Sequence, residues 1–121
     1  MNVIQRDCPP ELRPGEVIPC ERIAPWLKSC GSEIKVYAGC RLVHPERISI
    51  GNYSQIDEGV YIFAADEIII GKHVHLAFGS SISGGGRCVI RDFAGIGAGV
   101  RLVTGTDLID APGLTLSLIH I

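Results

Sequence analysis

The chain has 121 residues, a formal net charge of −2 and five cysteines. That length suits a single domain, and its few, scattered basic residues exclude a nucleic-acid groove or an anionic membrane surface as partner. No apolar stretch reaches the ~20 residues of a membrane span, the N-terminus lacks a charged-then-apolar leader pattern, and an odd cysteine count without metal-site spacing argues against a disulfide framework. Location in a reducing cytoplasm is the expectation.

Residues 1–29 read as a lead. Pro9, Pro10, Pro14, Pro19 and Pro25 interrupt any long helix or central strand. The segment Ile23–Ser29, with Pro25 and Trp26, suits a helical turn that plugs the open first coil of a repeat beginning at Cys30; a disordered lead is the alternative.

Residues 30–110 repeat. Written in rows of twenty, residues 30–109 stack in register, with four columns apolar throughout: Cys30/Ile50/Ile70/Ile90, Val36/Ile56/Leu76/Ile96, Leu42/Ile62/Ile82/Leu102 and Ile48/Ile68/Cys88/Leu108. A fifth column is glycine: Gly39, Gly59, Gly79 and Gly99. A fixed period of this length defines a solenoid whose coils bury their faces only against neighbours. Within each coil the aliphatic residues fall six, six and eight apart, giving three short strands joined by corners, about four coils in all. Two-residue alternation points Ser54, Ile56, Val60 and Ile62 inward and Gln55 and Tyr61 outward. The glycine column falls at a corner where positive φ is cheapest, Asn52, Lys72 and Asp92 mark a second corner, and two extra residues per coil occupy the third. Cys30, Cys40 and Cys88 lie in inward positions and read as small buried hydrophobes.

The unit aliphatic–Gly–x–x–small–x is clearest at Ile50-Gly-Asn-Tyr-Ser-Gln, Ile70-Gly-Lys-His-Val-His and Ile96-Gly-Ala-Gly-Val-Arg. It resembles the hexapeptide repeat of the left-handed parallel β-helix, so the resemblance implies an all-β, left-handed parallel β-helix. The left hand comes from that resemblance, since parallel crossovers are ordinarily right-handed.

After Asp110 the repeat is lost, and 111–121 forms a non-repeating tail. The run Leu116–Ile121 resembles a translated sequencing adapter. The expectation is that about the last six residues are foreign, that further coils are missing, and that the fragment alone is inactive.

His73-Val-His-Leu-Ala-Phe-Gly-Ser-Ser-Ile-Ser-Gly-Gly-Gly, followed by Ile90 through Asp107, resembles bacterial hexapeptide-repeat acyltransferases, and among them the sugar O- and N-acetyltransferases of surface-polysaccharide synthesis. The resemblance implies transfer of an acetyl group from acetyl-CoA to a sugar or nucleotide-sugar hydroxyl or amine. It also implies sites in clefts between the prisms of a homotrimer, and a histidine base. An imidazole suits that task near neutral pH, and backbone N–H groups suit the oxyanion. In such prisms coenzyme A typically lies along later coils, so none of the residues of these four coils is assigned to it.

His75, outward at the centre of a strand in the column Lys35, Gln55, His75, Gly95, is the favoured catalytic base, because Gly95 leaves a gap above it. His73, at the corner in the column Glu33, Tyr53, His73, Phe93, competes as base or serves as a substrate-binding residue, or stacks on an aromatic neighbour. His44, before Pro45, reads as a solvated turn histidine. The alternative for all three is a surface role, with the catalytic histidine lying downstream. Gly84-Gly85-Gly86 lacks the strand–loop–helix context of a phosphate loop; Gly84 and Gly85 are candidates for substrate binding at a wide corner, or simply turn the chain. Asp107, in Thr104-Gly105-Thr106-Asp107, is a further substrate-binding candidate carried by the resemblance, weakened because Leu108 stands where a second Asp is usual. Arg47, Glu67, Arg87 and Asp107 alternate in sign and predict a surface charge ladder worth at most ~1 kcal/mol per pair. The outward column Ser49, Ile69, Val89, Ile109 predicts trimer packing. No metal is expected. Two other classes compete: a γ-class carbonic-anhydrase-like zinc protein, for which His73 and His75 are too closely spaced, and a non-catalytic β-helix assembly subunit.

Overall fold

A computed structural model of the protein describes residues 15–105 and, as backbone, residues 3–4 and 118–120. The chain winds into a three-sided parallel β-solenoid. On the first face Lys35, Gln55, His75 and Gly95 pair in succession. Arg41, Tyr61, Ser81 and Arg101 do so on the second face. On the third, Ile50 pairs with Ile70 and Ile70 with Ile90, while Cys30 pairs with Ile50 below. Every step between these coils is twenty residues, as the sequence period requires. The third face gains a further parallel strand from Leu118–His120, set against Arg87–Val89 thirty-one residues earlier. An open rung accepts any short β-forming segment that satisfies its backbone groups.

The interior is a narrow aliphatic prism. Val36, Leu42, Ile48, Ile56, Ile62, Cys88 and Ile90 have no measurable exposure, and Ile50, Ile68, Ile70, Leu76 and Ile82 almost none. Cys40 and Cys88 are buried and Cys30 half-buried. Burial pushes the Cys88 thiol up to about 11, the behaviour of an inert packing residue.

The inward small residue Ser54 is fully buried. Its hydroxyl donates to the Gly71 carbonyl at 2.6 Å and accepts from the Val74 N–H at 3.0 Å, tying the second coil to the third. Ser54→Ala strips both groups of a partner where water does not reach. It should cost about 1–3 kcal/mol, read as a lower urea midpoint with unchanged slope.

Val17–Ile18 runs antiparallel to Val36–Tyr37, and Val3–Ile4 antiparallel to Leu42–Val43. These strands cover two edges of the first coil. Between Pro19 and the third face run a helical turn, Cys20–Ile23, and a 3-10 turn, Ala24–Trp26. The turn thus begins before Ile23. Pro19, extended at φ −57° and ψ 141°, starts it without needing an N–H, and Pro25 sits in the first turn of the 3-10 segment for the same reason. Ile18 and Ile23, each 1% exposed, close the bottom of the core.

Two corner expectations change. Gly59, Gly79 and Gly99 have φ of 76°, 74° and 74°, but Gly39 is not left-handed. Gly39 is glycine because the Glu58 carboxylate occupies the place of a Cβ and accepts its N–H at 2.6 Å. At the second corner the left-handed residues are Glu33, Tyr53, His73 and Phe93, one position after the polar ones. The polar residues tie the corner together instead: Asn52 Oδ1 accepts the Ser32 N–H and Asp92 Oδ1 the Lys72 N–H, each at 2.8 Å and each from the coil below.

The charge ladder is also revised. Glu67 pairs with Arg87 at 3.4 Å and with Lys28 at 2.6 Å. Arg47 turns away, donating to the carbonyl oxygens of Ala64 at 3.2 Å and Ala65 at 2.6 Å. Both carbonyls lie on the corner of the coil above, within reach of the guanidinium. Asp107, Leu108 and Ile109 lie outside the described residues.

Candidate active site

The first face carries the densest polar chemistry. Its strands Gln55–Ile56 and His75–Leu76 are two residues long, so each presents one inward aliphatic and one outward functional side chain. Gln55 lies directly beneath His75. Asp57, two residues past Gln55, points outward as well and meets His75 diagonally across the coils. His75 Nε2 stands 2.8 Å from Asp57 Oδ2, with the imidazole side chain 51% exposed. Gln55 Nε2 donates to the other oxygen, Asp57 Oδ1, at 2.6 Å.

Partial burial acts to raise the Asp57 pKa, but hydrogen bonds from Gln55 and His75 and the imidazole's charge outweigh it and hold the carboxyl below the usual range. A depressed folded pKa adds stability above the unfolded value of ~3.9 and loses it as pH falls through the folded value. The stability gap between wild type and Asp57→Asn, read from urea midpoints, should therefore narrow as pH is lowered from about 6 to about 3.

Above His75 stands Gly95, where an added Cβ would meet no atom within 4 Å. The gap expected from the sequence is open. Beside it His73 occupies the corner, sandwiched between Tyr53 and Phe93. The ring centroids are 4.9 and 5.1 Å apart, and the planes tilt by only 16° and 6°. The left-handed backbone shared by all three residues turns their side chains out of the corner onto one another. Tyr53 is 56% and Phe93 75% exposed, so the stack forms an aromatic wall flanking His75.

Gly84 and Gly85 are on another corner, between the second and third faces, and this chain does not bring them to His75. Gly84, with φ 102°, is hemmed in by the backbone of Thr104 on the next coil. Thr104 Oγ1 accepts the Gly86 N–H at 2.8 Å. Gly85 faces open space. His44 is also distant, left-handed at φ 60°, with Nδ1 3.6 Å from Glu46 Oε2 and its ring edge-on to Phe63. A depression of about 350 Å³ lies on that same corner, lined by Lys28, Glu46, Arg47, Ala65, Asp66 and Glu67, and it contains no histidine. Among the described residues no three His, Cys, Asp or Glu side chains gather as a metal-binding group. No helix among them is long and apolar enough to cross a membrane.

Asp57 was not among the sequence candidates. Its signal is present, since an outward carboxylate two residues after the residue beneath a histidine lies on the diagonal that short strands bring together.

Parallel three-stranded coils made of these hexapeptides define the chain as a hexapeptide-repeat β-solenoid. It is 34% identical over 83 residues to the dTDP-4-amino-4,6-dideoxy-D-glucose acyltransferase of Escherichia coli, an alignment that covers 67% of this chain and 43% of that protein. The chain is thus similar over that span to a sugar acyltransferase, and it spans less than half the length of this relative. No family model matches the chain, and no solved structure matches it significantly.

Proposed function

We propose that the protein carrying this chain transfers an acetyl group from acetyl-CoA to a hydroxyl or amine of a sugar, with His75 as general base. The observation that supports this most is the His75–Asp57 contact of 2.8 Å on an exposed face beneath an open glycine, in a relative of a sugar acyltransferase. The acceptor's O–H or N–H gives its proton to the imidazole and attacks the thioester carbonyl. The tetrahedral intermediate collapses with cleavage of the C–S bond, and the imidazolium returns the proton to the departing thiolate. His73 and its aromatic neighbours border the acceptor. Gly84 and Gly85, on a different corner, serve substrate only if a neighbouring subunit brings that corner to His75, and Asp107 is retained as a substrate-binding residue on the resemblance alone.

That need favours a homotrimer, packed in part through the third-face column Ser49, Ile69 and Val89, whose described members are all half-buried and two of which are β-branched apolar residues. The acceptor is a nucleotide- or lipid-linked sugar of polysaccharide synthesis, handled in the cytoplasm.

The test is an acyl-transfer assay of the full-length protein with acetyl-CoA and dTDP-4-amino-4,6-dideoxy-D-glucose, the sugar nucleotide in the relative's name, beside a panel of other sugar nucleotides. Release of coenzyme A dependent on one acceptor supports the reading. Absence of turnover with every acceptor, together with no binding of acetyl-CoA, points to an assembly subunit instead.

A further inference from the structure

We infer that Gln55 and Asp57 together select Nδ1 of His75 as the atom that takes the proton, with Gln55 acting as a positioning residue. The inference rests on the proposed role of His75 as base and adds which nitrogen reacts and what sets it.

Both oxygens of Asp57 are engaged, Oδ1 by the Gln55 amide at 2.6 Å and Oδ2 by His75 Nε2 at 2.8 Å. An ionised carboxylate only accepts hydrogen bonds, so Nε2 must carry the hydrogen. A neutral imidazole has one N–H, which leaves the lone pair on Nδ1. The nitrogen nearest the carboxylate is therefore not the base. Gln55 matters because an aspartate held through one oxygen is free to rotate and offer either face. With its other oxygen fixed by an amide on the rung directly beneath His75, the carboxylate plane is set and the tautomer with it. Gln55 occupies the rung below the imidazole, while Gly95 offers no side chain above it. Among the described residues the hydrogen bond of the imidazole runs from Nε2, which leaves the Nδ1 lone pair for the acceptor.

The experiment reads the tautomer directly, by nitrogen NMR of the protein labelled in histidine, with kinetics alongside. Wild type should show His75 with a protonated Nε2 and a bare Nδ1. Gln55→Leu should give a mixture of tautomers and a kcat lower by about tenfold, with KM for donor and acceptor unchanged and the fold intact. Gln55→Arg again presents an N–H to Oδ1 and should restore the single tautomer. A protonated Nδ1 in wild type overturns the assignment of the reacting atom, and a Gln55→Leu spectrum identical to wild type overturns the positioning role. A correct tautomer pattern in a protein whose turnover is indifferent to His75→Ala leaves the positioning of the imidazole by Gln55 and Asp57 standing but removes His75 as the base, and with it the assignment of the reacting atom.

Discussion

His75→Ala should lower acyl transfer by roughly 10²–10⁴-fold, with KM for acetyl-CoA changed less than threefold. A positioned base contributes only in the transition state, so its loss appears in kcat and kcat/KM together. The same substitution should leave folding intact, because the side chain is half-exposed and its partner, Asp57, lies within reach of water. Asp57→Ala should act in the same direction and more weakly. The imidazole then remains, but its orientation and tautomer are no longer imposed. The double variant should be scarcely worse than His75→Ala alone, because the aspartate acts through the histidine. Additive losses would mean that the two residues serve separate steps. If neither substitution changes the rate, His75 is not the base.

Much of the fold was legible in the repeat. Twenty-residue columns of isoleucine, leucine and valine leave one way to bury all of them, so the coil, its register and the inward set are dictated by the sequence. Position along a strand also placed His75 outward and Gly95 above it. The failures lie where neighbouring coils meet through side chains rather than by column. The Asp57–His75 contact is diagonal, so column reading, which compares residues twenty apart, passes over it. Gly39 looked like its three column mates, yet it answers to a carboxylate that reaches down from Glu58. Likewise Arg47 was matched by charge to Glu67, yet its guanidinium donates to backbone carbonyls. Left-handed φ at Tyr53 and Phe93, on either side of His73, defies single-residue preference, since bulky Tyr and Phe seldom occupy that region. Mutual stacking of the rings one coil apart offsets part of that cost.

One added methyl group at position 51 should be among the most damaging changes the chain can take. A Cβ on Gly51 would lie 2.6 Å from the carbonyl carbon of Gly71, 2.7 Å from its oxygen and 2.9 Å from the Lys72 nitrogen. All three are backbone atoms, so no rotamer change relieves the clash. The coils are held there by the Gly51 N–H donating to the Ile70 carbonyl at 2.8 Å, and that contact has to open for the methyl to fit. Gly51→Ala should therefore destabilise by on the order of 3 kcal/mol, at the upper end for overpacking. Gly95→Ala is the matched control. Its backbone is not left-handed and its new methyl meets nothing, so relief of glycine's conformational entropy should make it neutral or stabilising by ~0.5 kcal/mol. Urea midpoints of the two variants decide the matter. Because each coil contacts only its neighbours, hydrogen exchange in Gly51→Ala should quicken first at the amides between the second and third coils, including those of Gly51, Gln55 and Asp57, which donate upward. A Gly51→Ala midpoint equal to wild type would mean that the coils slide apart at this corner at little cost, and the close backbone stacking would then not govern the solenoid's stability.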